Sequence, residues 1–232
     1  MARKPRFYLK GIPCHIVQRG NNRQACFFCD EDFGFYLNSL QAALQQYNVQ
    51  LHAFVLMTNH VHLLMTPDDA EGISRVMQSV GRDYVRYVNK NYRRSGTLFE
   101  GRHKASLIDS EQYLLQCQRY IELNPVRAKM VLHPAEYHWS SYQYHGLGKP
   151  ISCLTPHPLY LGLANNSESR YQAYQALFST ELGEVELNTI RQSLTHNYPL
   201  GGERFRAEIE HTLGVRLGKC GPGRPEAERG GC

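Results

Sequence analysis

The sequence predicts an α+β fold: a ferredoxin-like sandwich with an antiparallel sheet, plus a small helical extension at its C-terminal end. Three observations predict it. Apolar periods of two and of 3.6 residues succeed one another in the order β-α-β-β-α-β-α as far as Pro125. Two strand-like runs, Val49–Met57 and His60–Thr66, are parted only by Thr58 and Asn59, which makes an antiparallel hairpin. Beyond Gly146, Gly148, Pro150, Pro156 and Pro158 the pattern is helical alone.

Each element has its own signal. Ile12–Arg19 reads as a strand ended by the turn Gly20-Asn21-Asn22. Asp32–Tyr47 puts Phe33, Leu37, Leu40 and Leu44 on one helical face. Pro67 and two aspartates end the hairpin. Gly72–Tyr92 is a long amphipathic helix with Ile73, Met77, Val80, Tyr84 and Val88 as its buried stripe. Arg102–Asp109 is the fourth strand. Ser110–Leu123 is a helix with Ser110 as N-cap, and Pro125 starts a further turn. Glu168–Ser179, Glu184–His196 and Gly202–Leu213 read as three short helices. The expected organisation is therefore a domain over 1–150, a helical extension over 151–217 and a disordered tail over 218–232, rich in glycine, proline and charge.

A hydrophobic content of 42% over 232 residues fits a folded protein. No apolar run has the length of a membrane span, and the basic start Met1–Arg6 is not followed by an apolar stretch, so no membrane partner is expected and the cytoplasm is the expected compartment. Seven cysteines at irregular spacing fit free thiols, with Cys26 and Cys29 lacking the second ligand pair of a zinc knuckle. Residues 1–150 hold 18 Lys and Arg against 12 Asp and Glu, whereas 151–232 hold 8 against 9. The positive surplus lies entirely in the first segment and points to a polyanion there, so the chemistry is expected in 1–150.

His60-Val61-His62 lies on a strand, where alternation sends both imidazoles to one face and Val61 into the core. Paired imidazoles can bind one divalent metal, although two histidines on a polar sheet face give the same pattern. Leu64 and Met65 follow the pair, which excludes a metallo-β-lactamase motif and a histidine triad. The chain is also short for a barrel amidohydrolase. Tyr120 and Asn124 are four apart, hence on one helical face. A phenol can attack a phosphodiester and conserve its bond as phosphotyrosine, and an asparagine offers a carbonyl oxygen to the metal. A core aromatic is the ordinary reading of one tyrosine among 15. Tyr113, seven residues earlier, competes as nucleophile but has no asparagine four residues on.

Five segments carry a resemblance: His15-Ile-Val-Gln-Arg-Gly-Asn21, Met57-Thr-Asn-His-Val-His-Leu63, Gly96-Thr-Leu-Phe-Glu-Gly-Arg102, Tyr120-Ile-Glu-Leu-Asn-Pro-Val-Arg-Ala128 and Trp139-Ser-Ser-Tyr142. Together they resemble the REP-associated tyrosine transposases, relatives of the single-tyrosine HUH transposases. The resemblance implies a ferredoxin-like sheet carrying the HUH motif, with His60, His62 and Asn124 as metal ligands and Tyr120 as nucleophile. It implies Mg²⁺ or Mn²⁺ as cofactor. The implied partner is single-stranded DNA beside a palindromic hairpin, cut to leave a 5′-phosphotyrosine and a free 3′-OH. A hairpin binder that no longer cuts is the alternative, and the chain is expected as a monomer or homodimer.

Candidate DNA contacts are the helical stripe Arg82, Arg86 and Lys90, strand residues Arg102 and Lys104 with His103 on the opposite side, and Arg19 and Arg23 about the first turn. Arg3, Lys4 and Arg6, with Phe7 and Tyr8, could hold an unpaired base by stacking.

Overall fold

The structure, a computed structural model, describes residues 6–217. The predicted tail and the candidates Arg3 and Lys4 lie outside the described residues. The sheet elements are β1 (Cys14–Arg19), β2 (Val49–Met57), β3 (His60–Pro67) and β4 (Lys104–Leu107). The helices are α1 (Asp30–Gln46), α2 (Gly72–Asn91), α3 (Ser110–Glu122), α4 (Asn124–Arg127), α5 (Tyr142–His145), α6 (Pro158–Leu161), α7 (Ser167–Ala176), α8 (Glu184–His196) and α9 (Glu203–Leu213). The strands lie in the order β2-β3-β1-β4, every neighbouring pair antiparallel, as the ferredoxin-like sandwich requires.

Strand alternation builds two apolar layers. Ile16, Val61, Leu63 and Met65 face α1 and α2 and pack on Leu40, Val76, Val80 and Tyr84. On the other face Ala53, Val55 and Leu64 pack on Leu114, Cys117, Tyr120 and Ile121 of α3. Leu182, Leu187, Ile190, Leu194 and Leu200 join this second cluster, while Ile151, Leu154 and Phe205 pack on the first. Residues after 150 thus share the apolar clusters of the sheet. The segment at Leu200 also bridges Ile108, and Leu200 N–H donates to Leu107 at 2.8 Å.

Behind α3 lies a buried polar knot. Glu122 accepts from Ser141 Oγ at 2.5 Å, from His145 Nδ1 at 2.8 Å and from Tyr174 Oη at 2.7 Å. Glu122 and His145 are fully buried, and a charge so placed must be paired. Burial, and after it the Glu122 carboxylate, pushes the Tyr174 phenol far up. The knot ties α5 and α7 to the helix that carries Tyr120.

Boundaries differ from the sequence reading where the backbone intervenes. Pro13 has no N–H, and β1 starts after it, at Cys14. Asp109, not Ser110, occupies the N-cap of α3, without a side-chain cap bond. β4 begins at Lys104, because Gly101 turns the chain at φ 65° just before it. Cys26 is buried and Cys29 exposed, and the five described cysteines are free thiols. No helix among the described residues is long and apolar enough to cross a membrane.

Candidate active site

Parity in β3 puts His60, His62 and Leu64 on the α3 face. Register sets Val17 opposite His62 and Arg19 opposite His60. His15, one step along, then reaches diagonally, and its Nε2 lies 2.8 Å from His62 Nδ1. The ring centroids of His60 and His62 are 5.1 Å apart. Tyr120 descends from α3 onto this group, edge to face, with centroids 5.8 Å from His15 and 5.9 Å from His62.

The polar partners fix which atoms are free. Asn59 Nδ2 donates to the Arg23 carbonyl at 2.9 Å, so Asn59 Oδ1 must accept, and it takes His60 Nδ1–H at 2.6 Å. The His60 lone pair is therefore on Nε2. Asn124 Nδ2 donates to the carbonyls of Tyr120 and Ile121 at 3.0 and 3.1 Å, which leaves its Oδ1 free to accept. Arg127 Nη2 donates to the Tyr120 carbonyl at 2.8 Å, and its guanidinium lies 4.1 Å from the Tyr120 ring centroid, a cation–π contact.

Burial first, then Arg19 and Arg127, pushes His60 down to about 4. Burial, His15 and His60 hold His62 well below the ordinary histidine range, and burial with Arg127 pushes His15 down to about 3. All three rings are neutral at physiological pH, the form that ligates a metal. His60, His62 and Asn124, which line the same cleft, offer imidazole nitrogen and amide oxygen donors of the kinds that divalent metal ions take. Among the described residues no group of three His, Cys, Asp or Glu side chains converges on a point, so Asn124 would have to be the third donor.

His60, His62, Tyr120 and Asn124 line one cleft of about 670 Å³. Its other walls carry Arg6, Arg19, Arg23, Arg102, Lys104 and Arg191 against a single carboxylate, Glu100. Six cations facing one acid give the cleft a positive field. His103 lines the cleft with Arg102 and Lys104, contrary to the strand-parity expectation, because Arg102 and His103 precede β4. Tyr8 is no stacking platform: it is buried, and its Oη lies 2.5 Å from His103 Nε2. Arg6 Nη1 donates to the same ring nitrogen at 2.9 Å. Arg82, Arg86 and Lys90 are exposed on α2, whose buried side packs on the opposite face of the sheet, so the structure does not bring them to the cleft. Tyr113 packs on the second apolar cluster and does not line the cleft.

Three candidates escaped the sequence reading. Arg127 had a signal, since seven residues from Tyr120 is two helical turns. His15 depends on the β1–β3 register. Arg191 depends on the docking of α8, for which no local pattern exists.

Residues 9–124 match the model of a family described as "Transposase IS200 like". No curated protein matches the chain in sequence. Among solved structures, a REP-associated tyrosine transposase bound to a REP hairpin superposes with a TM-score of 0.55 at 14% identity, over 68% of this chain and 99% of that one. At that identity the likeness is one of fold. A transposase candidate from Deinococcus radiodurans R1 aligns over 52% of this chain and 96% of that one, at 22% identity and a TM-score of 0.36, too low to carry weight.

Proposed function

Because the chain belongs to the IS200-like transposase family, we propose that it is a single-tyrosine DNA endonuclease and strand transferase acting on single strands beside REP-type palindromic hairpins. One observation carries the reading: a tyrosine seated edge-on against neutral histidines inside a cleft of six cations. The hairpin held by the structural neighbour supports the choice of DNA form.

The chain's own groups have distinct work. The cations hold the backbone by charge. Tyr120 Oη attacks the phosphorus, the P–O3′ bond breaks, and the phenol gives up one proton while the departing 3′-oxygen gains one. The products are a 5′-phosphotyrosine and a 3′-OH, so bond energy is conserved for rejoining. Arg127 holds the ring and backbone of Tyr120 in place for that attack. His60, His62 and Asn124 would hold the cation, Mg²⁺ or Mn²⁺. When bound, it supplies Lewis-acid polarisation of a phosphate oxygen.

The test is incubation with a labelled hairpin bearing a single-stranded flank. The expected result is a covalent, protease-sensitive adduct that is lost in Tyr120→Phe and in His60→Ala with His62→Ala, with hairpin binding kept. Binding without any adduct in the wild-type protein overturns the enzymatic reading in favour of a hairpin binder.

A further inference from the structure

The family match ends at residue 124, yet one wall of the cleft comes from far beyond it: Arg191, Leu194, Thr195, His196 and Asn197. We propose that this wall, at the C-terminal end of α8, is a binding surface for the unpaired DNA strand, with Arg191 taking a backbone phosphate and His196 stacking on a base. The inference rests on the reading of the cleft as a DNA site, but not on its chemistry.

The wall is built rather than accidental. Leu187, Ile190 and Leu194 sink into the apolar cluster under Tyr120, and this spacing turns Arg191 and Thr195, four residues apart, toward the cleft. Both ends of α8 are fastened. At the start Glu186 accepts from Gln116 Nε2 of α3 at 2.6 Å. At the end Asn197 takes the left-handed conformation, φ 53°, and its Oδ1 accepts Ala105 N–H of β4 at 3.2 Å. Ser106 Oγ donates to the Tyr198 carbonyl at 2.6 Å. The helix therefore spans from the tyrosine-bearing helix to the outer strand, fixed above the His face of the sheet.

Arg191 is exposed and is in none of the ion pairs found among the described residues, and neither is Arg127. The two cations act on each other repulsively beside Tyr120. A phosphate held at Arg191 in the cleft is attracted by both cations. Arg6, Arg102 and Lys104 supply cations from the β4 side of the same cleft, so a strand within it would be held from both sides. His196 adds a flat face: it is exposed, lies parallel to Tyr198 with centroids 5.3 Å apart at 20°, and its Nδ1 is held by the Gln192 carbonyl at 2.9 Å. A ring pinned in orientation and open on one side is a platform for an unpaired base. Duplex DNA offers no free base face, so the wall selects single strands.

The experiment measures anisotropy of two fluorescent probes, a blunt hairpin and the same hairpin with a single-stranded flank, against the full-length chain. Arg191→Gln and His196→Ala are each expected to weaken the flanked probe about tenfold and the blunt one little. Arg191→Gln is also expected to lower the salt slope for the flanked probe by about 0.7, one single-strand phosphate contact. Arg82→Gln, the same charge change on the far face of the sheet, is the control and should alter neither. Equal losses on both probes, or a loss in Arg82→Gln as large as in Arg191→Gln, overturns the proposal, as does an undiminished affinity in both wall variants. If the wild-type protein forms no adduct but the flank-specific losses appear, the nuclease reading fails and the wall stands.

Discussion

His15 Nε2 lies 2.8 Å from His62 Nδ1, and the two rings stack with centroids 5.1 Å apart. When their shared proton sits on His62, its Nε2 keeps the lone pair that a cation needs, and His15 is the acceptor that selects this tautomer. His15→Phe keeps a ring in place and removes the acceptor. Mn²⁺ affinity, read from the electron paramagnetic resonance signal of the free ion, should fall about 10- to 100-fold. An unchanged affinity takes the positioning role from His15.

Arg127 touches Tyr120 at two points, ring and carbonyl. Arg127→Met keeps much of the stem and loses both contacts. The rate of adduct formation should drop about 100-fold, as expected for a displaced nucleophile, with hairpin affinity changed less than about threefold. Arg127→Lys should recover part of the rate, since the charge remains over the ring. A drop in affinity equal to the drop in rate would make Arg127 a general DNA contact instead.

Burial pushes His52 down to about 4 and His103 down to about 3, against about 6.5 in an unfolded chain. The unfolded chain thus binds more protons between these values, and stability rises with pH across that window. It is fully present above about pH 6.5 and is lost as pH falls toward 4, on the order of 2 kcal/mol for each ring at pH 5. Thermal unfolding should show Tm falling by at least roughly 10 °C between pH 7 and pH 5, since His15, His60 and His62 are held down in the same direction. His52→Gln should lose part of that dependence. A Tm that is flat over this range contradicts the burial of both rings in neutral form.

Ending the chain at Pro150 removes five leucine and isoleucine side chains from the cluster around Tyr120, together with the Tyr174 partner of Glu122. At about 1.5–3 kcal/mol for each buried side chain, the loss rivals the whole stability of a domain. The truncated chain should lack a cooperative unfolding transition and form no adduct. A folded 1–150 fragment with normal adduct yield would instead establish that region as an autonomous domain.

Much of this was legible in the sequence, for definite reasons. Period-two alternation is a local property, so His60-Val61-His62 announced its own parity, and the Thr58-Asn59 break set the hairpin. The face of α2 bearing Arg82, Arg86 and Lys90 was equally plain, but periodicity does not say on which side of a sheet a helix packs. Here the apolar stripe from Ile73 to Val88 took the α1 side, and the basic stripe went with it away from the cleft. Gly101 displaced Arg102 and His103 from strand geometry and so defeated parity at β4. Arg191 and His196 reach the site only through the burial of Leu187, Ile190 and Leu194, a contact some seventy residues from Tyr120 in sequence.

The segment around Leu200 has one more effect. Asn197 and Leu200 occupy outward amide and carbonyl groups of β4, at Ala105 and Leu107. On the opposite rim Trp139, Ser141 and Thr155 do the same for Leu56, Phe54 and Leu51 of β2. Among the described residues both margins of the sheet are thus sheathed by the chain itself, and a second molecule finds no open strand there to extend. Self-association through a continuous intermolecular sheet would require one of these coverings to peel away. Contact between two folded copies by sheet extension is closed off at these margins, which leaves helical and loop surfaces for any such contact.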